Sequence, residues 1–185
     1  MKRTFSGLAV LALANVTACK PPPTDDALTR DAPDAEVSTA SKPLPSPDTE
    51  GALWTPSAEE GRIIYGIPGE PALAALACRE TGVMRISRLA PADEGASALL
   101  ALIGNGAIGR IEVEAVEVSG RIIWQGDLAA DDDAWEPLAG PRQMTITVPG
   151  AGIVQLNPSP LPEQFLSRCR SSVRSDEPDP PANQG

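Results

Sequence analysis

The side chains of this sequence that could do chemistry are carboxylates and cysteines, because the chain contains no histidine. A Ser-His-Asp triad, a Cys-His pair and a histidine-ligated zinc ion are therefore excluded. Efficient proton transfer near neutral pH would require a carboxylate whose pKa is strongly perturbed by burial or by a neighbouring charge. We therefore predict a protein that is not an enzyme and uses no cofactor. The alternative is a periplasmic hydrolase that uses carboxylates or a serine.

Two groups of carboxylates have a spacing that suggests a site. Asp127, Asp131 and Asp133 could supply oxygen ligands to Ca²⁺, but their spacing is not that of a calcium-binding loop. Glu112 and Glu114 share one face of a predicted strand, and glycosidases use such a pair of carboxylates. An open strand face has no cleft and gives neither carboxyl group a reason to stay protonated. We expect a solvated acidic turn and a charged strand face, and no metal site.

Cys78 and Cys169 are the two cysteines of the region that we expect to fold. In an oxidising compartment, an isolated pair near opposite ends of one domain most simply forms a disulfide. The alternative is a redox or nucleophilic thiol, but there is no Cys-x-x-Cys motif and no histidine that would lower a thiol pKa. A bridge that closes so long a loop would stabilise the domain by about 4–5 kcal/mol in the chain-entropy model.

Residues 1–19 have the organisation of an export signal. Lys2 and Arg3 precede an apolar run over residues 5–14, which is too short to cross a bilayer as a helix. The Val-Thr-Ala-Cys sequence that ends at Cys19 resembles the lipobox of bacterial lipoproteins. The resemblance implies a signal peptide over residues 1–18 and a Cys19 that carries acyl chains such as palmitate, which insert into the bilayer. An ordinary secretory signal is the alternative.

Beyond the lipobox, three short patterns resemble those of small, uncharacterised envelope lipoproteins of Gram-negative bacteria. They are the apolar segment Leu73–Cys78, the Ile-Gly-Asn-Gly turn at 103–106 and the segment from Pro158 to Cys169. This resemblance bears on architecture, not on activity. Lys20 follows the lipobox cysteine where an aspartate would resemble an inner-membrane retention signal. By analogy we expect the outer membrane, with the protein facing the periplasm.

The distribution of proline divides the mature chain into three parts. Seven prolines and few large apolar residues lie between residues 20 and 52. We therefore predict that residues 19–52 comprise the lipidated cysteine and a disordered, Pro-rich tether. Residues 53–170 are expected to form one β-rich globular domain, and residues 171–185 a disordered acidic tail.

The predicted domain shows a periodicity of two residues over most of its length. Eight short runs of β-type residues are separated by turn signals, which predicts an antiparallel β-sandwich or barrel. Leu73–Cys78 is ambiguous between a strand and a short helix, and we favour a strand that forms a hairpin with the next run. Within Arg110–Val118 the apolar positions slip by one residue, so we expect a β-bulge near Ala115 and Val116.

Two further features complete the predicted domain. Ser159 can cap a short C-terminal helix over Pro160–Arg168, with Pro160 at its first position. The three large anchors of the core are expected to be Trp54, Trp124 and Trp135, since aromatic residues make up only 3% of the chain.

The charge of the predicted domain bears on its partners. Residues 53–170 contain nine arginines against fifteen aspartates and glutamates, a net charge of −6. Nucleic acid would require a basic surface, so we expect no nucleic-acid partner. The predicted partners are the lipid bilayer, through acylated Cys19, and a basic protein or glycan attracted by the acidic surface. The predicted function is that of a membrane-anchored, non-enzymatic envelope lipoprotein with a binding or structural role. The sequence leaves the oligomeric state open.

Overall fold

The structure, a computed structural model, describes residues 43–79 and 82–175, with side chains up to residue 171. The predicted signal peptide (1–18), the predicted lipidation site Cys19, the tether up to residue 42 and the tail after residue 175 lie outside the described residues. Among the described helices, none has the length and apolar character needed to cross a membrane.

Nine strands form one antiparallel sheet that nearly closes into a barrel. The strands are β1 (Leu53–Pro56), β2 (Arg62–Gly66), β3 (Ala74–Cys78), β4 (Val83–Pro91), β5 (Ser97–Gly104), β6 (Ala107–Val118), β7 (Arg121–Ala129), β8 (Met144–Thr147) and β9 (Ile153–Leu156). Their order across the sheet is β1-β2-β3-β4-β7-β6-β5-β8-β9. The structure therefore confirms a mainly β protein and selects the barrel over the sandwich.

The number of strands exceeds the prediction by one. The ambiguous segment Leu73–Cys78 is confirmed as a strand, which pairs with its neighbours on both sides as β3. The additional strand is β1, which directly follows the Pro-rich segment and ends at Pro56, a residue that argues against a central strand.

Strand β6 passes through the slip in its apolar pattern without a bulge. Its pairing with β7 is regular up to Val118, so the bulge predicted near Ala115 and Val116 is wrong. The pattern slips because Val116 and Val118 point outward, where they are 36% and 39% exposed. The irregularity lies in β4 instead, where the register shifts between Arg88 and Pro91.

Side chains join the two edges of the sheet. Tyr65 is fully buried on β2, and its hydroxyl group donates to the carbonyl oxygen of Gln155 at 2.8 Å. The same hydroxyl accepts from the backbone N–H of Asn157 at 3.0 Å. The Asn157 amide donates to the carbonyl oxygens of Thr49 and Ala52 at 3.0 and 2.8 Å. Burial raises the pKa of Tyr65, so the hydroxyl stays protonated and both of its bonds persist at ordinary pH.

Residues 43–52, which the composition assigned to the tether, lie against the barrel. The backbone N–H of Leu44 donates to the carbonyl oxygen of Gly150 at 2.7 Å, and the N–H of Ile153 donates to the Ser46 hydroxyl at 3.0 Å. Prolines lack the donors for a regular β-ladder, but their neighbours can still satisfy the edge of a sheet. The folded part of the described chain therefore includes residues 43–52.

A 3-10 helix, η1 (Asp133–Leu138), lies between β7 and β8 in the chain and packs against β5 and β6. It begins after Asp132, whose Oδ1 accepts from the backbone N–H of Ala134 at 2.8 Å. Trp135 of η1 is fully buried and its Nε1 donates to the carbonyl oxygen of Ala129 at 2.9 Å. Trp54 and Trp124 are buried as well, which confirms all three tryptophans as core residues.

The single α-helix of the described chain, α1 (Leu161–Ser175), confirms the predicted C-terminal helix. The Ser159 hydroxyl accepts from the backbone N–H of Leu161 at 3.2 Å, as expected of a capping residue. The helix continues past Arg168 into the segment that the composition assigned to the tail. A disulfide between Cys78 and Cys169, with Cα atoms 5.6 Å apart, ties α1 to the end of β3.

Candidate binding groove on the outer face of the sheet

The three aspartates that were considered as calcium ligands lie in different surroundings. Asp127 is paired with Arg85, while Asp131 and Asp133 are exposed near the start of η1. Within the described residues, no three side chains of the types that bind metal ions come together. The structure therefore offers no reason to build a function on these aspartates.

A groove crosses the outer face of β2, β3, β4 and β7 because the side chains in the middle of this face are small. The outward positions of β3 are Ala75 and Ala77, and Ser87 lies beside Ala75 on β4. Ala75 and Ser87 face outward, yet they are only 2% and 4% exposed because longer side chains stand on both sides. The Ser87 hydroxyl accepts a hydrogen bond from Nε2 of Gln125 at 3.1 Å, so the polar groups of these two side chains at the floor of the groove are partners of each other.

Four arginines line this groove, which has a volume of about 350 Å³ and is called the arginine groove from here on. Arg62 lies on β2, Arg79 follows β3, Arg85 lies on β4 and Arg121 begins β7. Strand register places Arg62, Arg85 and Asp127 in one row across four adjacent strands. The arginines come from four separate segments, and the sheet brings them together.

Arg121 reaches the groove because a tight turn precedes it. Ser119 and Gly120 have φ angles of 52° and 77°, as a two-residue hairpin turn of type I′ requires. This turn joins Val118 to Arg121 and brings the tip of the β6–β7 hairpin to the rim of the groove.

Arg85 and Asp127 form a bidentate ion pair on neighbouring strands. The Nε–Oδ1 and Nη2–Oδ2 distances are 2.6 and 2.5 Å. The hydrogen bonds from Arg85 hold the pKa of Asp127 below its usual range, and the charge of Arg79 acts in the same direction. The same hydrogen bonds raise the pKa of Arg85. Both groups therefore remain ionised around neutral pH.

The other arginines leave a local excess of positive charge. Arg62 pairs with Glu59 at 2.7 Å between Nη1 and Oε2. Within the described residues, Arg79 and Arg121 have no carboxylate at salt-bridge distance. Counted over the described part of the chain, the arginine groove therefore presents four positive groups against two carboxylates, although residues 53–170 carry a net charge of −6.

An acidic hollow adjoins the arginine groove on the side of β6. It has a volume of about 370 Å³, is lined by Glu112, Glu114 and Val116, and shares Arg85 and Gln125 with the groove. The two glutamates therefore border a hollow, whereas we expected an open strand face. Both side chains are exposed.

An apolar hollow adjoins the other side of the arginine groove. Its volume is about 310 Å³. It is lined by Leu89, Pro91, Ala92, Arg121, Ile122 and Ile123, of which Leu89, Arg121 and Ile123 also line the arginine groove. Three surfaces of different character, acidic, basic and apolar, are therefore continuous on one side of the molecule.

Arg88 shows how differently an arginine behaves on the inner face of the same strand. It is 4% exposed, and its Nη1 and Nη2 donate to the carbonyl oxygens of Leu73 and Ala151 at 2.9 and 3.0 Å. Burial lowers the pKa of Arg88 to about 10. Arg88 ties β4 to the chain across the barrel and is a structural residue, unlike the arginines of the groove.

Sequence reasoning did not find the arginine groove. The available signal was the absence of lysine from residues 53–170, which contain nine arginines. Arginine is the basic residue suited to planar contacts with carboxylate and phosphate groups. The clustering itself depends on the pairing of β4 with β7, which are not consecutive in the chain.

Comparison of the chain with protein-family models, curated proteins and solved structures finds no match. The geometry of the groove is therefore the basis for assigning a function.

Proposed function

We propose that this protein is a lipid-anchored, non-enzymatic binding protein of the bacterial envelope and that the arginine groove binds an anionic group of its ligand. The observation that carries the proposal is the presence of four arginines around one concave surface of an acidic domain. Among them, Arg79 and Arg121 form no salt bridge with the described residues. They are the two whose donors are best placed to take an external anion.

The chemistry of the groove favours binding over catalysis. The pair of Arg85 and Asp127 holds both charges in fixed positions and provides neither a nucleophile nor a proton at neutral pH. Glu112 and Glu114 are exposed, and nothing in their surroundings excludes water. We therefore place the hydrolase that uses carboxylates or a serine behind a binding protein.

The lipobox at Cys19 supports the anchoring part of the proposal. An acylated Cys19 would hold the domain at the outer membrane on its periplasmic side. The acidic surface outside the groove would favour a basic protein or glycan as a second partner, and the arginine groove would select the anionic ligand. Separate regions of the surface would then serve the two kinds of partner.

The binding proposal is tested with the full chain reconstituted in nanodiscs of zwitterionic phosphatidylcholine and titrated with tripolyphosphate. The arginine Nε–H signals in ¹H–¹⁵N NMR spectra report the binding. We expect shifts at Arg79 and Arg121, and about fivefold weaker binding in Arg79→Gln and Arg121→Gln, since each variant removes one charge-assisted contact. Raising the salt concentration should weaken binding further.

Arg110→Gln is the matched control for these variants. Arg110 is exposed on β6 and borders none of the three surfaces, so this variant changes the net charge equally without altering the groove. It should bind tripolyphosphate as the wild type does. Equal weakening in all three variants, or shifts spread over the whole surface, would show diffuse electrostatic attraction and contradict the proposal.

The anchoring proposal is tested with Cys19→Ser. The wild type should partition into detergent at the mature size, and the variant should remain an unprocessed or soluble species. A variant that still partitions at the mature size would exclude lipidation at Cys19.

A further inference from the structure

We infer that the ligand of the arginine groove is a soluble anionic amphiphile, with a carboxylate or phosphate among the arginines and a hydrocarbon chain in the apolar hollow. The inference rests on the proposed function, and it adds the chemical class of the ligand. The observation behind it is that the two surfaces share residues: Leu89, Arg121 and Ile123 line both.

The apolar hollow results from an irregularity in strand pairing. Arg88 is paired with Trp124, but the next pair is Pro91 with Ile123, so β4 has two extra residues at this point. Leu89 and Pro91, which lie at this irregularity, both line the hollow, and the irregularity ends where the N–H of Ala92 donates to the carbonyl oxygen of Ile122 at 3.1 Å. Bulges of this kind occur preferentially beside binding sites, where they redirect side chains.

The position of Arg121 determines where the anionic group and the hydrocarbon chain of a ligand can lie. Its side chain borders both surfaces, so an anion that it contacts lies directly at the entrance to the apolar hollow. An acyl chain attached to that anion can leave water along Leu89 and Ile122. A small inorganic anion would leave the apolar hollow exposed to water, and a neutral hydrocarbon would not contact the donors of Arg79 and Arg121 with an anionic group.

The surrounding charge argues against a polyanion. The net charge of −6 over residues 53–170 repels a polymer that carries many negative charges, while a ligand with one or two charges experiences mainly the nearby arginines. Glu112 and Glu114 in the adjoining acidic hollow also limit how far an anion can extend on that side. A small molecule with one anionic group satisfies both constraints.

The ligand class is tested with a series of carboxylates, acetate, butanoate and hexanoate, and with hexan-1-ol. All three acids are ionised at pH 7.5. Each compound is titrated into the full chain in phosphatidylcholine nanodiscs, and binding is followed by the NMR signals of Arg121 and Ile122. A parallel titration of empty nanodiscs corrects for the ligand that the lipid takes up. We expect affinity to rise about two- to fourfold per methylene group, because the free energy gained by burying one methylene group corresponds to a factor of that size. Hexan-1-ol should bind at least tenfold more weakly than hexanoate.

Two variants separate the apolar contribution from the ionic one. Ile122→Ser should reduce the binding of hexanoate to that of acetate and leave tripolyphosphate binding unchanged. Ile153→Ser is the control, because Ile153 is 49% exposed on β9 and lies outside the three surfaces. It should alter neither titration.

The possible outcomes distinguish this inference from the proposed function. Binding that is independent of chain length, together with normal binding of tripolyphosphate, would overturn the amphiphile and leave the anion-binding function standing. Failure of both ligands to bind would overturn both. Binding only to vesicles that contain an anionic phospholipid, and to none of the soluble carboxylates, would show a membrane-docking surface and also overturn the inference.

Discussion

The disulfide between Cys78 and Cys169 allows the most quantitative prediction for this fold. The bridge closes a loop of 91 residues and fastens α1 to β3. In the chain-entropy model, closing a loop of this length lowers the conformational entropy of the unfolded chain. The folded state is thereby stabilised by about 4.6 kcal/mol at 25 °C. Since whole domains are stable by only about 5–15 kcal/mol, the bridge accounts for a large share of the free energy of unfolding.

The test is the double variant Cys78→Ala/Cys169→Ala of the full chain. Alanine is chosen because Cys169 is 1% exposed, and a serine there would bury an unpaired hydroxyl group. Guanidinium unfolding, followed by fluorescence of the three buried tryptophans, should give a free energy of unfolding about 4–5 kcal/mol below that of the wild type. The melting temperature should fall by about 15 °C.

Reduction provides the control for this experiment. Dithiothreitol should destabilise the wild type by a similar amount and have no effect on the double variant. A loss below about 1.5 kcal/mol in the variant would refute the reasoning, because it would mean that the unfolded chain is already restricted without the bridge.

Three further predictions concern single residues. Tyr65→Phe should lower the free energy of unfolding by about 2 kcal/mol in guanidinium titrations, because it leaves the carbonyl and N–H partners at the end of β9 unsatisfied. Asp127→Asn should make the free energy of unfolding depend less on pH in the acid range. In the wild type the depressed pKa of Asp127 stabilises the folded state above about pH 4, and this contribution is lost as the pH falls through the folded-state pKa. Unfolding curves between pH 2 and 7 measure the difference. Gly109→Ala should lower the melting temperature, because its Cβ would overlap the carbonyl oxygen of Ala134 and displace η1.

The arrangement of charge has a consequence for how the protein would meet its partners. Residues 53–170 carry a net charge of −6, and four of their nine arginines line one groove. Long-range attraction would therefore favour basic partners, while short-range contacts in the groove would select the anionic group that we propose as ligand. At an ionic strength of 0.15 M, screening over about 8 Å limits the repulsion that a small anion meets on its approach.

The sequence by itself was sufficient for the local features of this protein. Alternation of apolar and polar residues predicted most of the strands, because a side chain on a strand alternates between the core and solvent whatever the strand pairs with. Ser159 and Pro160 predicted the start of α1, since the groups that satisfy the first turn of a helix are adjacent in the chain. The disulfide also followed from the sequence, because the region predicted to fold contains two of the three cysteines of the chain, and two cysteines allow only one pairing.

The features that the sequence left undecided depend on contacts between distant segments. The prolines of residues 43–52 suggested a tether, but Leu44 bonds to Gly150 in the turn before β9, and Ser46 bonds to Ile153 at the start of β9. Val116 and Val118 suggested a bulge, but the barrel simply leaves them outside.

The arginine groove could not be read from the sequence for the same reason. Arg62, Arg79, Arg85 and Arg121 lie in four separate segments, and each segment by itself looks like an ordinary solvated strand or turn. Only the antiparallel pairing of β4 with β7 places Asp127 beside Arg85 and brings Arg121 to the same groove. Closure of the barrel determines that pairing, because the inward faces of all nine strands must be buried together, and no local pattern encodes which strands become neighbours.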